Sequence, residues 1–373
     1  MLAAMESAGR RWISASAALV ATLLFSLLLV AQADADARAD AVAQFKAAQT
    51  DATVPSGWTG STDTCTVGAE SQASLDATLD TVNILRKFAG LGPVTFNAEK
   101  NHRALAAAMM MAAQGDLSHD PPSTWKCWTD EGHLGASTSN LYLGASGAEA
   151  MVGFVNDAGV DSLGHRRWVL DPEAMEMGSG STGGSNALVV LDNGGDGSRA
   201  ASLPADNLVG WPAPGLFPTP WIFEDWSVAL GNSESAASIS MANASVGVKI
   251  DGKDVAVSGI RDLGSGFGTG RTLAWRVALP QSITSGDHEI EVNVTGVTKD
   301  GAPLPVSYTV NAFNPGKAGG SSGSDSACEK AKAKLAKAKK KLKAAKQSGK
   351  SSKIKQAQKK VKKAKAKKKK ACA

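Results

Sequence analysis

The stretch from Leu117 to Pro172 constrains this chain more than any other, because it gathers chemically capable residues between two polar, turn-rich ends. It carries His119, His133 and His165, three of the five histidines, with Cys127, Trp125, Trp128 and Trp168. One helical pattern lies inside it. Loops that deliver side chains into a cleft, steadied by buried helices, have this layout. His119 and His165 are 46 residues apart, so any site they share is made by the fold and not by a local metal motif.

Helical spacing surrounds the stretch. Leu75, Leu79, Val82 and Leu85 predict a helix from Ser74 to a stop at Gly90. Asn97 is placed to cap a second helix through Gln114, in which Met109, Met110 and Met111 read as packing and not as a metal box. Gly115 and Asp116 end it and set His119 just beyond. Ser146 to Asp157 predicts a third helix with Ser146 and Glu149 as a capping box. Ala187 to Leu191 predicts a buried strand.

In chain order, Asn83-Ile84-Leu85-Arg86, Gly90-Leu91-Gly92-Pro93-Val94, Ser118-His119, Ser139-Asn140-Leu141 and Gly164-His165-Arg166-Arg167 resemble the CAP superfamily in its bacterial form. That superfamily comprises cysteine-rich secretory, antigen-five and pathogenesis-related proteins. The resemblance covers residues 72–193 and implies an α-β-α sandwich of α+β class. It also implies a cleft of two histidines and two acids. His119 and His165 stand at the histidine positions, and Asp157, three residues after Phe154, at one acid position. Ser139 stands where the other acid is expected, and a hydroxyl is a poor metal ligand and a poor base at neutral pH. Asp120, Glu131 and Asp161 are nearby acids that could substitute. The ligand cleft is therefore expected at His119, Ser139, Asn140, Asp157, His165 and Arg166. His119, His165 and Asp157 are candidate ligands for zinc or another divalent ion; the alternative is a metal-free pair of hydrogen-bonded imidazoles. His102 and His133 read as solvated or structural. Arg166 and Arg167 read as partners for acids, an anionic ligand or backbone carbonyls.

Residues 1–33 read as a secretory signal: Arg10 and Arg11, an apolar run from Ala17 to Val30, then Ala31-Gln32-Ala33. A retained anchor is the alternative, although the run is short for a span. Residues 34–71 form an N-terminal lead-in, loose through residue 60 because it shows little apolar pattern. Four cysteines in an exported chain suggest two disulfides. Their order suggests Cys65 with Cys127 and Cys328 with Cys372. The first pair closes a loop of 62 residues, worth about 4 kcal/mol less any strain.

Residues 194–226 read as a Pro/Trp-rich linker whose aromatics pack between domains or meet sugar rings. From 227 to 313 the pattern turns to alternation: Val246, Val248 and Ile250 before an Asp251-Gly252 turn, then Leu273, Trp275 and Val277, Ile290, Val292 and Val294, and Val306, Tyr308 and Val310. An immunoglobulin-like β-sandwich without a catalytic constellation is expected there. Residues 314–327 are a Gly/Ser linker.

The net charge of +5 hides a division. Residues 328–373 hold 21 lysines, no arginine and one acid, Glu329, for +20, which leaves −15 on the rest. Ala331, Leu335, Ala338, Leu342 and Ala345, and then Ile354, Ala357, Val361 and Ala364, form two seams on either side of Ser348-Gly349-Lys350. A lysine-rich antiparallel helical hairpin closed by Cys328 and Cys372 is expected; a disordered basic tail is the alternative. Lacking arginine, it is not suited to bidentate or base-specific recognition. Anionic cell-wall polymers, lipid headgroups or extracellular nucleic acid are the expected partners. Two functions follow. One is a secreted, extracellular or wall-associated binding protein, with no transmembrane span in its mature form, an unknown lipid or wall-derived ligand in the cleft, and the hairpin as tether. The other is a metal-assisted hydrolase in which His165 or Asp157 activates water and His119 helps hold the metal. Ser139 and the lack of a partnered nucleophile favour the first.

Overall fold

The computed structural model describes residues 35–191, 208–268, 270–316, 360–363 and 365. The expected signal segment, residues 194–207 of the linker, the linker beyond Gly316 and nearly all of the basic hairpin, Cys328 and Cys372 included, lie outside those residues. Among the described residues no helix is long and apolar enough to cross a membrane.

A helix occupies residues 35–51 (α1). Then follow α2 (Gln72–Phe88), β1 (Thr95–Phe96), α3 (Ala98–Gln114), α4 (Asp130–Thr138), β2 (Ser139–Leu143), α5 (Gly147–Asn156), α6 (Gly164–Val169), β3 (Glu176–Ser181) and β4 (Ser185–Val189). The strands form one sheet in the order β1-β3-β4-β2, with β1 parallel to β3 and the other pairs antiparallel. Because side chains alternate across a strand, β4 separates two cores. Ala187 and Val189 join α3, α4 and Leu141 on one side. Leu188 joins α2 and α5 on the other. Helices therefore cover both faces of the sheet.

The sequence signals for α2 and α3 act as expected. Ser71 caps α2 by accepting from the Ser74 N–H. The Asn97 carboxamide oxygen accepts from the Glu99 and Lys100 N–H groups, and Gly115 ends α3 in the left-handed conformation (φ 76°). All three methionines of α3 are fully buried as packing. The helix lies so close to the sheet that a Cβ on Gly180 would fall 2.0 Å from the Leu105 nitrogen, and one on Gly178 would meet Lys100. Glycines in β3 are what allow that approach.

The remaining strands are β5 (Val209–Trp211), β6 (Gly215–Pro218), β7 (Asp225–Leu230), β8 (Ile239–Ser240), β9 (Ser245–Ile250), β10 (Lys253–Val255), β11 (Val257–Gly264), β12 (Arg271–Val277), β13 (His288–Thr295), β14 (Thr298–Lys299), β15 (Ala302–Pro303) and β16 (Val306–Phe313). They make a five-stranded sheet, β10-β9-β13-β16-β6, a four-stranded sheet, β11-β12-β7-β5, and a small three-stranded one, β15-β14-β8. Asp251 and Gly252 form the two-residue turn between β9 and β10, both at positive φ, as a tight hairpin requires. Residues 41–316 form one compact unit. A single core runs from Phe45 and Phe88 through Trp211, Phe217 and Trp221 into Trp226, Trp275 and the alternating valines of β9, β13 and β16.

Several expectations change here. The lead-in is not loose through residue 60: Ala41, Phe45 and Ala48 recur at helical spacing and are buried. Two of those three are alanines, too small to register as an apolar stripe. Ser146 forms no side-chain cap on α5; the Gly147 N–H instead donates to the Ser181 hydroxyl, 2.9 Å away. The described part of the linker is not a spacer, since its residues supply β5 and β6 to the two larger sheets. α4 carried no periodic signal because it meets α3 through glycine; a Cβ on Gly135 would lie 2.3 Å from the Arg103 carbonyl oxygen.

Gly180→Ala is expected to lower stability by about 1–3 kcal/mol, since backbone and not a flexible side chain opposes the added methyl. Gly183, which has open space around its Cβ position, is the control. Denaturant midpoints of the two alanine variants check this: Gly183→Ala should match the unsubstituted protein.

Candidate functional site

The site starts where α5 stops. Asp157 ends that helix in the left-handed conformation (φ 52°), and Leu163 (φ 48°) turns the chain into α6, whose first turn carries His165. The Asp157 carboxylate is wholly buried. Its Oδ1 accepts from His165 Nδ1 at 2.7 Å, and its Oδ2 accepts from the Arg166 backbone N–H at 3.1 Å. A carboxylate only accepts, so the imidazole proton sits on Nδ1 and the lone pair on Nε2. Phe154 packs beside the imidazole, 5.5 Å between ring centres. Asn140, from β2, donates its Nδ2 to the His165 carbonyl at 3.0 Å. Asn140, Asp157 and His165 are thus one hydrogen-bonded group.

His119 is fixed by a different tie. Its Nδ1 donates to the Ala136 carbonyl at 3.0 Å, which again leaves the lone pair on Nε2. Ser139 begins β2 and pairs with Val189, a residue of the α3-side core, whereas Asn140 pairs with Leu188 of the opposite core. The Ser139 side chain therefore faces away from the Asn140–His165 contact. Its hydroxyl is buried and has no hydrogen-bond partner among the described residues.

The Arg166 side chain does not face a cleft. Fully buried, it donates from Nε to the Val155 carbonyl (2.6 Å), and from its terminal nitrogens to the Asn156 and Asp225 carbonyls (3.1 and 2.9 Å) and the Ser227 hydroxyl (3.2 Å). Arg167 donates to the Gly264 carbonyl at 2.7 Å and lies 5.4 Å from the Phe267 ring centre. Burial pushes both guanidinium groups down to about 10, and for Arg166 the charges of Asp157 and Asp225 oppose the shift, so both remain cationic at neutral pH. Of the readings open for this pair, backbone carbonyls are the partners.

None of the substitute acids joins His165. Asp120 pairs with His133 at 3.0 Å on the exposed surface, Glu131 lies near Arg103 and His102, and Asp161 offers its carbonyl to Arg261. Asp157 is wholly buried and orients the His165 imidazole, so the set presents two Nε2 atoms where a catalytic zinc takes three protein ligands. Among the described residues no three His, Cys, Asp or Glu side chains gather as a metal would require. Cys65 and Cys127 are disulfide-bonded, with Cα atoms 5.0 Å apart, and fix the loop that follows His119 to the N-terminal segment.

One half-buried acid escaped the sequence reading. Glu70, just before the α2 cap, accepts from the Ser74 hydroxyl and, at 2.7 Å, from the Ser181 N–H. Burial pushes its carboxyl from 4.5 up to about 7, while those hydrogen bonds pull it back. Nothing about a glutamate in a polar lead-in signals this.

Residues 79–191 match the family model described as CAP, the cysteine-rich secretory protein family. No curated protein matches the chain.

The Glu70 carboxyl generates a pH dependence. Its folded value lies above its ordinary one, so the folded state binds the proton more tightly. Stability contributed below pH 4.5 is lost as pH rises through about 7. The loss is on the order of 3 kcal/mol. Unfolding free energies should fall between pH 5 and 8, and Glu70→Gln should flatten the decline.

Proposed function

From the premise that residues 79–191 are a CAP-family domain, we propose that this is an extracellular binding protein whose cleft receives a small ligand at His119 and His165. Two locked imidazoles support this reading. Each presents Nε2 as an acceptor, one braced by a buried carboxylate and the other by a carbonyl. Such a pair receives hydroxyl or amide protons from a ligand at little ordering cost, because the rings are oriented before the ligand arrives. Lipid or wall-derived molecules with a hydroxylated or amidated end have the matching chemistry. The larger sheets act as a spacer of the immunoglobulin-like kind. The basic segment 328–373 tethers the protein to anionic polymers outside the cell, and the Cys65–Cys127 bond suits that oxidising setting.

The second reading, hydrolysis, draws on one feature. Asp157 orients His165 as it would a general base. Against it stand the unpartnered Ser139 hydroxyl and the missing third metal ligand.

Native mass spectrometry of the secreted protein is expected to find a retained small molecule that Asp157→Asn and His165→Ala each lose. Elemental analysis should find equal metal content in the unsubstituted protein and in the His119→Ala/His165→Ala double variant. Metal that vanishes in the double variant, or ester or amide turnover that requires His165, would support the hydrolase. A chain ended at Gly316 should lose salt-sensitive retention on heparin, which the +20 segment supplies.

A further inference from the structure

A groove of about 560 Å³, lined by no histidine, lies between the end of α1, the turn from β2 into α5, and the segment before β7. Tyr142, Trp221, Phe223, Gln49, Glu149 and Asn156 line it. Its size and its mixture of rings with a few polar groups are those of a ligand site.

Two rings on its walls are partly exposed and rigidly backed. Phe223 stacks on the fully buried Trp211, with centroids 6.1 Å apart and planes 18° apart. Tyr142 meets Phe154 edge-on at 5.6 Å and lies against Gly153, where a Cβ would come 2.5 Å from the Tyr142 ring. Gly153 therefore holds the ring flat on α5. Trp221 lies deeper, edge-on to Phe45 and Phe88.

Glu149 is exposed on the first turn of α5 without a salt bridge among the described residues. The Tyr142 hydroxyl and the Gln49 amide likewise have no hydrogen-bond partner among the described residues. Held rings beside a carboxylate and two amides match a molecule with an apolar C–H face and a hydroxylated edge.

We propose that this groove is a carbohydrate-binding site, which takes a neutral or N-acetylated sugar chain with its rings stacked on Phe223 and Tyr142 and its hydroxyls on Glu149, Gln49 and Asn156. Neither His119 nor His165 lines the groove, so its test does not depend on the function proposed for them.

Chitotriose and cellotriose, titrated into the full-length protein, provide the test, followed by tryptophan fluorescence and saturation-transfer NMR. At least one should bind saturably. Phe223→Ala should weaken binding about ten-fold, the effect of losing one stacked ring. Ala52→Trp places an indole in the groove, which Ala52 lines, without removing a core side chain; it should abolish binding while far-ultraviolet circular dichroism and the unfolding midpoint stay unchanged. If Phe223→Ala fails to fold, Ala52→Trp decides alone. The proposal is overturned if neither sugar binds saturably, or if Ala52→Trp binds as well as the unsubstituted protein. It is also overturned if laurate or choline, but neither sugar, saturates the groove.

Discussion

A guanidinium taken wholly out of water must meet acceptors on every side, and the structure depends on how Arg166 meets them. Its side chain reaches carbonyls at the end of α5 and then crosses to Asp225 and Ser227 on β7. Its own backbone N–H holds the second oxygen of Asp157. One residue thus joins the CAP domain to the four-stranded sheet and fixes the carboxylate that orients His165. Removing one partner of a buried charge typically costs about 3–5 kcal/mol, so the link is not incidental. Arg86 plays a similar part, fully buried and donating to the Gly92, Val169, Asp171 and Ala174 carbonyls. Arg167, held on the Gly264 carbonyl of β11, ties α6 to the sheet edge.

What the sequence revealed and what it hid follow from this arrangement. Caps and apolar stripes are local, so α2, α3 and the alternating strands of the β region could be read directly. Ser71, Asn97 and Gly115 act through their immediate neighbours. α4 and α6 could not be read, because one packs through Gly132 and Gly135 and the other buries arginines. In the Pro/Trp-rich segment the packing of the aromatics was legible and the strands were not: Trp211 and Trp221 lie in the core, joined by the bond from the Trp211 indole N–H to the Trp221 carbonyl, while the segment also supplies β5 and β6. Proline and tryptophan are common in connections, and local pattern does not tell a connection from an edge strand.

At the candidate site, residue identity was legible and residue role was not. Family resemblance led to His119, Asn140, Asp157 and His165. It gave no means of knowing that Asp157 is wholly buried and bonded within the protein through both oxygens, where it orients His165. It also placed Arg166 by its neighbours in sequence, whereas desolvation and the carbonyls of a distant strand determine where its side chain goes. Ser139 departs from the family pattern and faces the α3 core, so the two histidines stand without the second acid that would complete the pattern.

The central claim is that the CAP domain and the β region are one cooperative structure, clamped by Arg166 and filled by the aromatic core between Phe88 and Trp275. Scanning calorimetry of the protein carrying Arg166→Met tests it most directly. Residues 41–316 should unfold in one transition with equal calorimetric and van't Hoff enthalpies, and that whole transition should move to lower temperature in the variant. Two separate transitions, with only one displaced by the substitution, would contradict it.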